Sequence, residues 1–248
     1  MIKAIVTGHS QGLGAAVAAV LLQRGVPVLG LSRRANVALA AQYGEALLEH
    51  ALDLSDGAAL AAWLEGDAMV RWFDGADAAL LVNNAGTVAP MGLLGSHRAS
   101  EIARAVTLNL TAPLMLSDAL CRITNALAER RILHVSSGAA RKPYAGWSVY
   151  CATKAALDHH ARAVAAEAHR GLRIASVAPG VLDTAMQAEI RASSLERFPL
   201  RERFEDLYRN AGLSSPADSA RQLVDALLDA RFGSVATTDL RERPLSPS

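Results

Sequence analysis

The strongest constraint on the fold is a rhythm in which short, almost wholly apolar runs alternate with longer segments of helical character. KAIVTG (Lys3–Gly8) leads into GLGAAVAAVLLQRG (Gly12–Gly25), whose last glycine suits a helix C-cap. VPVLGLS (Val26–Ser32) and LLEHALDL (Leu47–Leu54) read as the second and third strands. AALLVNNAG (Ala78–Gly86), RILHVSS (Arg131–Ser137), LRIASVAPG (Leu172–Gly180) and GSVATT (Gly233–Thr238) follow. Helical segments of roughly ten or more residues separate most of them. Strands apolar on both faces must be covered on both faces, which calls for a parallel sheet between helical layers. The expectation is an α/β, doubly wound, mainly parallel sheet of about seven strands.

No repeat, low-complexity tract or Pro/Gly linker divides the 248 residues, so one domain over 1–248 is expected. A formal net charge of +1 offers no electrostatic footprint for a nucleic acid. The apolar run LGAAVAAVLL (Leu13–Leu22) is about half the ~20 residues of a membrane span, and MIKAIVTG holds no signal-peptide h-region. Two cysteines, Cys121 and Cys151, make no disulfide framework and fit a reducing compartment. A soluble cytoplasmic protein, without nucleic-acid or membrane partners, is expected. The polar, helix-prone stretch Ala185–Leu213 follows the C-terminal end of the sixth strand, where open α/β sheets bind ligands. It is read as a substrate lid near 185–213.

TGHSQGLG joins the first strand to the first helix, with glycines at 8, 12 and 14. Gly8 permits a tight turn, Gly12 lets backbone approach a pyrophosphate, and Gly14 lets the helix pack close to the sheet. The helix N-terminus then offers unpaired N–H groups to the anion. A purely structural glycine turn would use the same residues, so placement between strand and helix carries the reading. After the second strand, where an acid usually bonds the ribose of NAD, the chain has Ser32, Arg33 and Arg34. No carboxylate repels a 2′-phosphate there and two guanidiniums are available to bind one, which favours NADP(H) over two solvated surface arginines.

Further polar groups stand at strand C-termini: NNAG (Asn83–Gly86) and SSG (Ser136–Gly138). Ser137 precedes Tyr150 by thirteen residues, room for a loop and a helix start, so the two could face each other across a carbonyl. Within GWSVYCATKAAL, Tyr150 and Lys154 are four residues apart on one helix face. Alone, that spacing also suits an ordinary packed helix. In sum these motifs resemble the short-chain dehydrogenase/reductase family of the single-domain, Ser-Tyr-Lys type, over nearly the whole chain. TGHSQGLG resembles its glycine motif, LDLSD (Leu52–Asp56) its adenine-contacting acid, and NNAG its sheet-stabilising motif. LNL around Asn109, the Ser137–Tyr150–Lys154 set and PGVLDT (Pro179–Thr184) complete the order. VSSGAARKPYAGWSVYCATKAAL narrows the similarity to the sepiapterin reductase and benzil reductase branch.

The resemblance implies a Rossmann-type fold, NADP(H) as cofactor, and a homodimer or homotetramer. It implies cofactor contacts at Gly8, Ser10, Gln11, Gly12, Leu13, Gly14, Arg33, Arg34, Asp53, Leu54, Asn83, Ala85, Gly86, Pro179, Gly180, Val181 and Thr184, with Tyr150 and Lys154 shared with catalysis. Gln11 departs from the basic residue that NADP-preferring members often carry before the second motif glycine, so preference rests on Arg33 and Arg34. The expected chemistry is hydride transfer to a small ketone or diketone, hydrophobic or aromatic. Tyr150 is the expected acid, its phenol (ordinarily near ~10) brought toward working pH by Lys154. Ser137 would hydrogen-bond the carbonyl oxygen, and by resemblance Asn109 would position a water relaying protons to Lys154. Tyr144, Trp147, Met186 and Met91 could wall the substrate or simply pack. No metal site is expected, because His9, His134, His159 and His160 lack ligand spacing. The alternatives are a 3-oxoacyl thioester or pterin reductase of the same family, and a non-catalytic NADP(H) sensor.

Overall fold

The structure, a computed structural model, describes residues 1–242; residues 243–248 of the expected domain lie outside the described residues. In chain order the elements begin β1 (Ile2–Thr7), α1 (Gly12–Gln23), β2 (Val28–Ser32), α2 (Val37–Tyr43), β3 (Leu47–Ala51), α3 (Gly57–Glu65), α4 (Ala68–Phe73) and β4 (Ala78–Asn83). They continue α5 (Ala99–Val106), α6 (Ala112–Ile123), β5 (Glu129–Val135), α7 (Ser148–Ala166) and β6 (Leu172–Ala178). Last come α8 (Ala185–Arg191), α9 (Arg201–Arg209), α10 (Pro216–Leu228) and β7 (Thr237–Asp239). Among the described residues these strands form one seven-stranded parallel sheet, in the order β3-β2-β1-β4-β5-β6-β7. The doubly wound architecture forms as expected. Its order reverses between β1 and β4, so the strand C-termini part there into a crevice.

Period-two alternation divides the strand residues between two covered faces. Val6, Val28, Val82 and Val177 pack with Val17 and Leu21 of α1 and Leu223 and Leu227 of α10. Ile5, Leu29, Leu81 and Ile132 pack on the other face with Leu60 of α3, Met69 of α4, Leu116 of α6 and Ala161 of α7. That double burial is why the strands read as continuous apolar runs.

Several boundaries differ from the sequence expectation. β3 ends at Ala51 and β4 at Asn83, short of Leu54 and Gly86, because the following residues leave the ladder to form turns around the crevice. Leu54 is still buried, by packing rather than pairing. β7 is Thr237–Asp239 instead of Gly233–Thr238; it pairs only with Ser176–Ala178, and Gly233 turns with φ +78°. The first helix stops at Gln23, and Gly25 takes the left-handed conformation (φ +72°) that its C-terminal position anticipates.

A third cluster lies over the strand C-termini and joins Val88, Trp147, Tyr150, Ile190, Phe198 and Phe204. α8 and α9 supply part of it, so segment 185–213 is helical as read and packs onto the crevice. The segment's ends are laced together: Ser214 N–H donates to Val181 O (2.8 Å) and Asp183 N–H to Ser214 O (3.1 Å). Gly146 (φ +85°) admits the Arg197 carbonyl oxygen, which any side chain at 146 would overlap. Trp147 then stacks on Phe198, with centroids 4.5 Å apart. Among the described residues no helix is long and apolar enough to cross a membrane.

Candidate active site

A cavity of about 460 Å³ runs along the strand C-termini. At one end stand Arg33, Arg34, Asp53 and Leu54. Asp53 accepts from Ser55 N–H (2.9 Å) and Ser55 O–H (2.7 Å). Those bonds, with Arg33 and Arg104 nearby, hold its carboxyl below the usual range, so it is an oriented anion. Ser32 is buried and its hydroxyl donates to Arg34 O (2.5 Å), which shapes the loop carrying the two arginines.

The glycine turn comes next, lining the cavity with Gly8, Ser10, Gln11, Gly12, Leu13 and Gly14. Gly8 adopts φ +70°, and a Cβ on Gly14 would overlap Gly8 O and Asn84 Nδ2. α1 therefore starts against the turn. Its N-cap, Gln11, makes no side-chain cap bond, and its first turn holds no acid. Open N–H groups and bare glycine backbone fit a dinucleotide pyrophosphate. His9 braces the turn from behind. Its buried ring crosses the space left by Gly30, and Nε2 meets Glu49 Oε1 at 2.6 Å. The same oxygen accepts from Asn36 N–H (2.6 Å), while Asn36 Nδ2 donates back to His9 O (3.3 Å). A closed circuit thus joins the turn to the loop after β2.

Toward the middle lie Ala85, Gly86, Pro179, Gly180, Val181 and Thr184, together with Ser137, Tyr150 and Lys154. Ser137 follows β5, while Tyr150 and Lys154 occupy the first turns of α7. Tyr150 is hydrogen-bonded with Ser137, which pulls its phenol down, but burial is stronger and pushes it up to about 12. This differs from the expected lowering by Lys154. The ammonium lies 5.8 Å from the ring centre and donates to Val135 O (2.8 Å). Burial pushes Lys154 down to about 8, opposed by the Asp158 carboxylate. Asp158 is itself buried and accepts from Ser136 (2.6 Å), Ser176 (2.7 Å) and Arg141 (3.2 Å), a set that sequence spacing did not reveal.

Lys154 makes a signed prediction about stability. The unfolded chain protonates this lysine below 10.5 and the folded chain below about 8, so stability rises with pH between those values. Above ~10 the unfolded phenol of Tyr150 ionises first and reverses the trend. Urea unfolding of Lys154→Met is expected to lack the rise between pH 8 and 10. At pH 7 the variant should recover part of about 3 kcal/mol, less the cost of leaving the Val135 carbonyl without its donor.

Two expected site residues do not line the cavity. Asn83 points to the opposite side, where Nδ2 lies within bonding distance of Ser117 Oγ (3.3 Å) and His134 Nδ1 (3.1 Å). It is two residues on from Leu81 and shares that face, so Asn83, expected to line the cavity, does not reach it and its neighbour does. Asn84 lines the cavity, and its Nδ2 donates to Thr7 O (2.9 Å). Asn109 is buried in a π turn, Thr107–Thr111, between α5 and α6. Its Oδ1 accepts from Thr87 N–H (2.8 Å), and its Nδ2 donates to Thr87 O (2.8 Å) and Thr153 Oγ1 (3.3 Å). Its amide is thus spent on bracing, without a direct bond to Lys154. Both groups nevertheless crowd Gly86, with Asn109 Oδ1 3.3 Å and Lys154 Nζ 3.7 Å from where a Cβ would begin.

The far end is apolar: Tyr144, Trp147, Met186, Ile190, Phe204 and Leu207. Trp147 touches the rings of Tyr144 (5.4 Å) and Tyr150 (5.3 Å), linking the wall to the phenol. Met91 packs against this cluster without lining the cavity. Ile190, Phe204 and Leu207 escaped residue-level reading, although the helical spacing of 200, 204 and 207 marks an apolar face.

The family model for short chain dehydrogenase matches residues 3–195. A benzil reductase ((S)-benzoin forming) of Bacillus cereus is 36% identical over 235 residues, covering 92% of this chain and 94% of its own. The sepiapterin reductase of Meriones unguiculatus is 33% identical over 252 residues, covering 95% and 94%. Among solved structures, a short-chain dehydrogenase/reductase from Burkholderia vietnamiensis is 50% identical, with 98% of each chain covered and a TM-score of 0.72.

Proposed function

The chain belongs to the short-chain dehydrogenase family, and from that premise we propose that it is an NADPH-dependent reductase of a ketone or diketone carbonyl on a small hydrophobic or aromatic substrate. The observation that carries this reading is the hydrogen bond of Ser137 with the buried Tyr150, set between a glycine-lined anion cradle and an aromatic wall. Similarity to a benzil reductase supports an aromatic diketone. Similarity to a sepiapterin reductase favours a pterin ketone as the second reading.

When bound, the reduced nicotinamide supplies the hydride. The protein's part is positioning and the proton. Ser137 and Tyr150 hydrogen-bond the carbonyl oxygen, stabilising the charge that grows there. Tyr150 then gives its proton to that oxygen. A phenol pushed up by burial stays protonated across the neutral range, which suits the reductive direction. Lys154, pushed down to about 8, gives up a proton more readily than an exposed lysine and can restore the phenol. Asn109 and Thr153 fix the helix surface beside it. Gly8, Gly12, Gly14 and the α1 N-terminus would hold the pyrophosphate, and Arg33 and Arg34 the 2′-phosphate.

A carbonyl panel containing benzil, simple aryl ketones, a 3-oxoacyl thioester and a pterin, run with NADPH and NADH in parallel, tests the proposal. The Arg33→Ala/Arg34→Ala double variant should lose about 10–100-fold in kcat/KM with NADPH and change only a few-fold with NADH. A clear NADH preference in the parent protein would reject the assignment of these arginines. NADPH binding without turnover across the panel would turn the reading to a sensor.

A further inference from the structure

Charge is distributed unevenly around the cavity. Among its described lining residues the one acid is Asp53, at the end that carries Arg33 and Arg34. The aromatic end instead holds Arg203 and Arg241. Arg203 projects from α9 with its guanidinium carbon 5.7 Å from the centre of the Tyr144 ring. Of the acids of its helix, Glu205 pairs with Arg201 and Arg209 and Asp206 with Arg209, while Glu202, its neighbour in sequence, is exposed and makes no ion pair with it. Among the described residues Arg203 makes no ion pair at all.

Arg241 approaches from the C-terminal segment. Its Nε and Nη2 fork onto Asp239 at 2.9 and 2.6 Å, and Asp239 is buried, so the guanidinium is oriented before any ligand arrives. Nη2 lies 3.7 Å from where a Cβ on Gly138 would begin, beside the residue that follows Ser137. Asp239 and Glu242 offset the charge of Arg241, which is left to contribute directed N–H groups. The guanidinium at this end that no carboxylate pairs with is that of Arg203, and it matches a monoanion. A neutral diketone would leave these donors idle. A planar carboxylate would suit both guanidiniums, and the apolar wall adds no further cation for a tetrahedral dianion.

We infer that the preferred substrate is an aromatic ketone bearing a carboxylate, its ring against Tyr144, Trp147 and Phe204 and its carboxylate toward Arg203 and Arg241. This rests on the reductase reading and sharpens its substrate class. Benzoylformate and methyl benzoylformate present one aryl ketone with and without the charge. The full-length protein should reduce the acid with kcat/KM about five- to tenfold above the ester, the advantage shrinking with added salt. Arg203→Gln should remove that advantage through a rise in KM of the acid about five- to tenfold greater than any change on the ester, and Arg203→Lys should restore part of it. Arg241 is left intact because removing it would strand the buried Asp239.

Calorimetric binding of both compounds to the NADP⁺-saturated protein and to Arg203→Gln separates the two claims. Reduction of both compounds with no preference for the acid, or equal losses on both in Arg203→Gln, overturns the inference and leaves the reductase reading standing. Arg203-dependent binding of the acid without reduction of either compound supports the anion site and overturns the reductase reading. Absence of binding and of reduction for both compounds overturns the inference.

Discussion

Tyr150→Phe is expected to lower kcat for carbonyl reduction about 10²–10⁴-fold while leaving the fold and dinucleotide binding in place. The ring of Tyr150 is buried and meets Trp147 edge-on, and phenylalanine keeps those contacts. The change removes the phenolic oxygen, its bond with Ser137 and its proton. Thermal unfolding should move little, since the lost bond is worth about 1 kcal/mol and the parent phenol, pushed up to about 12 by burial, is neutral at pH 7 in the folded and the unfolded chain alike. The measurement is kcat with calorimetric cofactor binding on the same preparation. Undiminished turnover would remove Tyr150 from the acid role, and the proposed mechanism with it.

Gly14→Ala should act through the backbone instead. A single methyl group there would overlap both Gly8 O and Asn84 Nδ2. The amide nitrogen also holds Thr7 O, so neither neighbour is the free end of a flexible chain. Relief requires α1 to lift from the turn, displacing the N–H groups that would face the pyrophosphate. The expected loss is about 1–3 kcal/mol, or roughly 2–12 °C in Tm, with NADPH affinity reduced beyond tenfold. Gly25→Ala is the internal comparison: no atom lies within 4 Å of a Cβ there, so its cost is confined to the left-handed conformation. Calorimetric melting and cofactor titration of both variants check this. Equal melting and binding would show that close packing at Gly14 is not what shapes the cradle.

Much of the fold could be read from alternation because each strand is covered on both sides and must be apolar throughout. Strand ends were harder. Leu54 is apolar and buried like a strand residue, but packing in a turn buries it, and hydropathy does not separate the two. The facing of Asn83 away from the cavity is legible in the sequence, since a residue two positions beyond Leu81 points to Leu81's side of the sheet. The rest was long-range. Arg203 and Arg241 reach Tyr144 across wide intervals of chain, and no local pattern announces it. The expectation that Lys154 would lower the phenol followed from spacing; burial, which spacing does not report, decided the direction.

The circuit behind the glycine turn bears on how this protein can be altered. The His9 ring lies where a side chain at Gly30 would stand, and it crosses β2 to reach Glu49 on β3. Gly30 precedes by only two positions the Ser32 that opens the loop carrying Arg33 and Arg34. A side chain at position 30 therefore requires a smaller residue at position 9. Transplanting another β2 into this chain to change its dinucleotide would import a methyl group into an imidazole unless position 9 travelled with it.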